Sequence, residues 1–139
     1  MHRCLLFFSF LLLFHFSNAD TIDYWHVYYN NTLLANINQN QEGYKLKLNK
    51  GDMKPGDSLS IIYYNDTPCQ DCETTLYVQG DNNHTLKLMT GKSTSYRFTI
   101  SAGELVTLAG GAGPDGLEFH YTQAKWGNWN RILFRLFVH

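Results

Sequence analysis

Cys69-Gln70-Asp71-Cys72 puts two cysteines at the spacing used by disulfide oxidoreductases, and the same spacing also closes a small structural ring. Redox turnover needs the attacking sulfur as thiolate, which a helix N-terminus or a neighbouring cation stabilises. Here Asp66, Asp71 and Glu73 flank the pair, and no Lys or Arg lies near it in sequence. Negative neighbours hold a thiol protonated. The residues after Cys72 read as strand rather than helix, so the first reading is a Cys69–Cys72 disulfide clip, with redox catalysis as the alternative. Zinc would need two more ligands, and His26, His84, His120 and His139 show no finger-like pairing. Asn65, Asp66, Asp71 and Glu73 offer oxygens to calcium, but not in EF-hand order. Asp66-Thr67-Pro68 reads instead as turn chemistry that stiffens the approach to Cys69. No metal and no cofactor is expected.

Lys125-Trp126-Gly127-Asn128-Trp129-Asn130 sets two indoles around a glycine in a polar segment. Exposed Trp126 and Trp129 beside the Asn128 amide could stack on a sugar ring or anchor a protein partner. The competing reading starts the last strand at Trp129 and buries its ring, with Trp126 over the sheet end. Gly110-Gly111-Ala112-Gly113 lacks the Lys-Ser/Thr ending of a phosphate-binding loop and reads as a flexible connection. Neither G-x-S-x-G nor H-E-x-x-H occurs, so no hydrolase signature supports catalysis.

These residues are expected to reach an oxidising compartment. Arg3, an apolar run from Leu5 to Phe16 and the exit Ser17-Asn18-Ala19 make residues 1–19 a signal peptide, too short for a convincing membrane span. Residues 20–139 then form one domain that is secreted or periplasmic, with no membrane span. In that setting Cys69 and Cys72 should be joined. Eleven Lys and Arg stand against twelve Asp and Glu, and losing Arg3 makes the balance slightly more negative. No basic surplus exists to draw nucleic acid. Asn-x-Thr triplets at Asn30, Asn65 and Asn83 are glycan acceptors only in a eukaryotic secreted chain.

Short β-branched and aromatic runs recur between turn clusters, the pattern of an all-β sandwich or barrel. Tyr24 to Tyr29 and Thr32 to Ile37 pair through an Asn30-Asn31 turn. Tyr44 to Leu48 alternates apolar residues with Lys45 and Lys47, which would guard a sheet border. Ser58 to Tyr64 reads as a central strand, and Glu73 to Gln79 follows the cysteine loop. His84 to Thr90 and Thr94 to Ile100 are joined through Gly91. Ser101-Ala102-Gly103-Glu104 matches a capping box, giving a helix over Ala102 to Leu108 before an irregular Gly110 to Gly116. Leu117 to Thr122 and Ile132 to Val138 complete the set. The expectation is an antiparallel β-sandwich of about eight strands with one short helix, a closed barrel being the competing architecture.

Asp20-Thr21-Ile22-Asp23-Tyr24-Trp25 and Tyr64-Asn65-Asp66-Thr67-Pro68-Cys69-Gln70-Asp71-Cys72-Glu73 resemble a group of small exported proteins of Bacteroidetes-type bacteria. The resemblance implies a bacterial origin and a β-rich fold. The group is functionally uncharacterised, so it implies no activity.

The functional expectation is an exported, non-catalytic binding module that uses loops at one end of the sandwich. Asp66, Thr67, Pro68, Gln70, Asp71, Trp126, Asn128 and Trp129 are its candidate contact residues. A ring-stiffened loop could also enter a peptidase cleft, because stiffening lowers the ordering cost of binding. The partner is a protein or a glycan of unknown identity. The alternatives are a thiol-disulfide oxidoreductase at Cys69/Cys72 and a carbohydrate-binding module at Trp126/Trp129. An assembly subunit that pairs its sheet edges with another chain is a third class.

Overall fold

A computed structural model describes residues 22–64, 69–93, 95–124 and 129–139. Residues 1–21, Asn65, Asp66, Thr67, Pro68, Trp126 and Asn128 lie outside the described residues. Among the described residues nine strands form two sheets and one α-helix joins them. The strands are β1 (Tyr24–Tyr29), β2 (Thr32–Asn38), β3 (Tyr44–Leu48), β4 (Ser58–Tyr64), β5 (Glu73–Gln79), β6 (Thr85–Lys92), β7 (Arg97–Ser101), β8 (Leu117–Gln123) and β9 (Trp129–Val138). The helix, α1, spans Ala102–Gly111. One sheet has the order β2-β1-β4-β7 and the other β3-β9-β8-β5-β6. Each keeps two free edges, so the architecture is a sandwich and not a closed barrel.

Alternation decides which side chains fill the space between the sheets. Trp25 and Val27 of β1, Leu59, Ile61 and Tyr63 of β4, and Phe98 and Ile100 of β7 face inward. They meet Leu76 and Val78 of β5, Phe119 and Tyr121 of β8, and Phe134 and Leu136 of β9 in one core. Burying each such side chain contributes roughly 1.5–3 kcal/mol. β4 also buries Ser60 and Ile62 on its outer side, as a central strand should. The Asn30-Asn31 turn holds Asn30 at φ 53°, which Asn tolerates better than most residues.

Three expectations need correction. β3 is an edge strand with Lys45 and Lys47 exposed, yet it pairs with β9 in parallel. The reason is positional: β2 finishes at the sandwich end where β9 starts, and the short 39–43 crossing keeps the chain there. Gly91 is not a connector. It lies within β6, opposite Thr74, and the Tyr96 ring packs where its Cβ would be, 2.3 Å away.

The helix also outruns its expected end and takes in Gly110 and Gly111. Glycine costs about 1 kcal/mol in a helix. The Ser101 Oγ accepts from the Glu104 N–H at 3.3 Å, and Leu105, Leu108 and Ala109 pack on the core, which offsets that cost. Beyond it Gly113 turns at φ +76°, with the Asp81 carboxylate filling the position of a Cβ.

Candidate functional site

Strand register places the two sequence-predicted segments at one end of the sandwich. Thr74, just after Cys72, pairs with Gln123, and Gln123 pairs with Trp129. Tyr64, which precedes the cysteine loop, pairs with Tyr24, and Tyr24 pairs with Asn38. The strand ends at Tyr64, Glu73, Gln123 and Trp129 therefore share an end of the sandwich with the 39–43 crossing. Trp129 does open β9, three residues earlier than the expected strand.

Cys69 and Cys72 are bonded, with Cα atoms 5.5 Å apart. Their loop carries the chain from one sheet to the other. Cys72 is buried, and its carbonyl accepts the Ser93 N–H at 3.0 Å, while Gln70 and Asp71 are exposed. The residue after Cys72 opens a strand. Lys92, distant in sequence, sits opposite Glu73 in the β5–β6 register, a cation that sequence proximity missed.

Beneath this end lies a rigid interior. Trp25, Tyr63 and Tyr121 pack with ring centroids 5.0–5.5 Å apart. The Arg131 guanidinium lies over Trp25 at 5.3 Å and donates to the Asn38 and Gln41 carbonyls. Burial pulls the Arg131 pKa down and pushes the Tyr121 phenol far up, with Tyr63 adding to the latter. Arg131 thus ties β9 to the crossing between the sheets.

The feature that sequence reading missed is the outer face of the four-stranded sheet. Period-two alternation sends Tyr24, His26, Tyr28, Tyr64 and Arg97 to that face, each only partly covered or exposed. Tyr24 and Tyr64 stack 5.1 Å apart, and His26 packs 4.8 Å from Tyr64. The His26 Nδ1 and the Tyr28 hydroxyl are 3.1 Å apart, and Arg97 lies 5.7 Å over the Tyr28 ring. Burial, then Tyr28, pushes the Tyr64 phenol up, so it remains a neutral donor. Leu33, 49 % exposed, pairs with Tyr28 and extends the patch toward β2.

Charge separates the two sheets sharply. β1, β2 and β4 contain no Asp, Glu, Lys or Arg, and β7 contains only Arg97. Each of the five strands of the other sheet carries at least one: Lys45, Glu73, Lys87, Glu118 and Arg131 among them. On that sheet an open groove of about 560 Å³ is lined by Glu42, Tyr44, Lys45, Glu118, Ile132 and Arg135. Arg135 donates to Glu118, whose other oxygen lies 3.2 Å from the His120 Nε2. Tyr77 stacks on the His120 ring at 4.7 Å. Burial raises the Glu118 pKa, but Arg135 and His120 outweigh it and hold the carboxyl below its ordinary value. Arg135, Glu118 and the buried His120 thus form one linked charge network, in which the His120 Nδ1 has no hydrogen-bond partner.

Among the described residues no cluster of His, Cys, Asp or Glu could hold a metal ion, and no helix is long and apolar enough to cross a membrane. No protein-family model and no curated protein matches the chain.

Proposed function

We propose that this chain is an exported, non-catalytic module that binds a protein through the tyrosine face of its four-stranded sheet and the adjoining end loops. The observation that carries this reading is the charge distribution: a sheet of four strands with Arg97 as its sole formal charge. Protein interfaces are depleted in charge at their centre and enriched in tyrosine and arginine. Tyrosines offer large contact area at little entropic cost, and their hydroxyls supply directional hydrogen bonds.

A protein fits this face better than a glycan. Sugar stacking needs a free ring face, whereas Tyr24 and Tyr64 cover each other and His26 packs against both. The Cys69–Cys72 ring follows Tyr64 in the chain, and in the sharper form of the proposal it enters a peptidase cleft. The oxidoreductase alternative has less support, since Cys72 is buried and leads into a strand.

The test is capture of partners from the exported proteome with the native protein and with Arg97→Ala and Tyr24→Ala. A partner retained by the native protein and lost by both variants is expected. Equal retention by all three would refute the tyrosine face as the binding surface. Inhibition of a captured peptidase would support the sharper form.

A further inference from the structure

A bulge builds the groove on the five-stranded sheet. Ile132 and Arg135 are three residues apart, so a regular strand would send them to opposite faces. The register of β8 and β9 shifts between Phe119 and His120: Glu118 pairs with Arg135, but His120 pairs with Ile132. Ile132 and Arg135 therefore share the outer face, while Leu133 and Phe134 between them are both buried. Bulges are over-represented where a side chain must be re-aimed at a site. The parallel pairing of β3 then adds Lys45, directly opposite Arg135. Like charges directly across a sheet destabilise it. Glu118 takes up the Arg135 charge, and among the described residues no carboxylate forms an ion pair with the exposed Lys45.

We propose that this groove binds a small organic acid, a single carboxylate on an apolar body, with the carboxylate held by Lys45 and Arg135. At about 560 Å³ the groove has the size of a small-molecule site. Its lining sets three cations, Lys45, Arg131 and Arg135, against two carboxylates, Glu42 and Glu118. That balance suits one negative charge, and the two carboxylates oppose a phosphate dianion. Arg131 already donates to the Asn38 and Gln41 carbonyls, which leaves Lys45 and Arg135 to meet the ligand. Ile132, 46 % exposed, and Tyr44 supply the apolar wall. Ile132 also ends an in-register row continued by His120, Tyr77 and Leu88, over which a longer apolar body can extend. The groove lies on the other sheet from the tyrosine face, so this proposal is independent of the protein-binding one.

Amide-shift NMR titration of the native protein with octanoate tests it, beside acetate, which lacks the body, and octylammonium, which reverses the charge. A tri-leucine peptide with a free C-terminus carries the same chemistry on a chain end. Saturable binding of octanoate or the peptide is expected, with shifts centred on β3 and β9. The tighter of the two names the source of the carboxylate. Acetate and octylammonium should each bind at least about tenfold more weakly. Lys45→Glu and Ile132→Asn should weaken the acid at least about tenfold while keeping a native circular dichroism spectrum. Lys47→Glu should leave binding unchanged, since Lys47 is exposed on the same strand, opposite Phe137 and outside the groove lining. Failure of both acids to saturate overturns the proposal. So does binding no tighter than that of octylammonium, an equal loss with Lys47→Glu, or shifts confined to the tyrosine face.

Discussion

Tyr24 and Tyr64 are direct cross-strand partners whose rings lie 5.1 Å apart and 10° from parallel. Each spends a ring face on the other. The pair is therefore preorganised, and what it offers a partner is edges and hydroxyls. Because the surrounding strands carry no carboxylate, Arg97 has no competing ion pair within this sheet and is free to meet one from outside.

Arg97→Ala should reduce affinity for a captured partner by about 2 kcal/mol or more if Arg97 is a central anchor. Its stability cost should stay within about 1 kcal/mol, since the residue is exposed and its contact is a cation–π approach to Tyr28. Calorimetric titration beside thermal melting measures both. Unchanged affinity would remove Arg97 from the interface.

Asp57 links the β1–β2 turn to the loop before β4. Its carboxylate accepts from the Lys54 N–H at 2.9 Å, and from the Asn30 amide and the Tyr29 hydroxyl at 3.0 Å. The Lys54 backbone bond, then the Asn30 amide, holds its carboxyl below the ordinary value. A depressed folded pKa contributes stability above the unfolded value that is lost as pH falls through the folded one. Native protein should therefore lose stability in acid, and Asp57→Asn should show a flatter acid limb. Denaturant midpoints between pH 7 and pH 2 would check this.

Tyr29 gives the opposite limb. Burial, followed by Asp57, pushes its phenol up to about 12. The folded state then keeps a proton that the unfolded chain releases from about pH 10, so stability falls as pH rises through that window. Absorbance titration of phenolate should show Tyr29 titrating late, as one of several tyrosines pushed up with Tyr64, Tyr77 and Tyr121. Asp57→Asn should bring it closer to the ordinary value.

How much of this could be read beforehand depended on whether the signal was local. Alternation in Tyr44 to Leu48 located a strand with its lysines outward, and Asn30-Asn31 located a turn; that the strand is an edge comes from the sheet order. The direction of β3 is set by which end β9 starts from, and no residue within β3 records it. Gly91 read as a break because a strand glycine signals one when its neighbours are unknown; Tyr96 supplies the missing surface. The tyrosine patch escaped notice for the same reason. Tyr24, His26 and Tyr28 were legible as one face of β1, but Tyr64 and Arg97 join them only through pairing across the sheet. A strand-by-strand charge count would have marked the sheet, since four uncharged or nearly uncharged strands stand out without coordinates.

Gly91→Ala should destabilise the fold by about 1–3 kcal/mol, because its added methyl would overlap the Tyr96 ring. Tyr96→Ala made together with it should recover part of that loss, since the clash disappears. A double-mutant cycle by urea denaturation gives the coupling. Additive losses would show that the ring moves aside.

The cysteine pair separates two function classes. Cys72 is 6 % exposed and Cys69 is only partly covered, so after reduction Cys69 should be alkylated well before Cys72. An oxidoreductase also needs a thiolate-stabilising helix terminus at its pair, and here Glu73 opens β5 while Asp71 adds negative charge. Lys92 opposite Glu73 offsets part of that charge without supplying a helix dipole. The expected outcome is no catalysed insulin reduction with dithiothreitol. Reduction itself should cost less than the roughly 3 kcal/mol of a fifteen-residue loop, because the ring is far smaller. Its main effect should fall on the crossing between the sheets, seen as faster hydrogen exchange at Ser93, whose N–H bonds the Cys72 carbonyl. Multiple turnovers, or a Cys69 labelling pKa well below about 8.5, would make the protein a thiol oxidoreductase and overturn the non-catalytic reading.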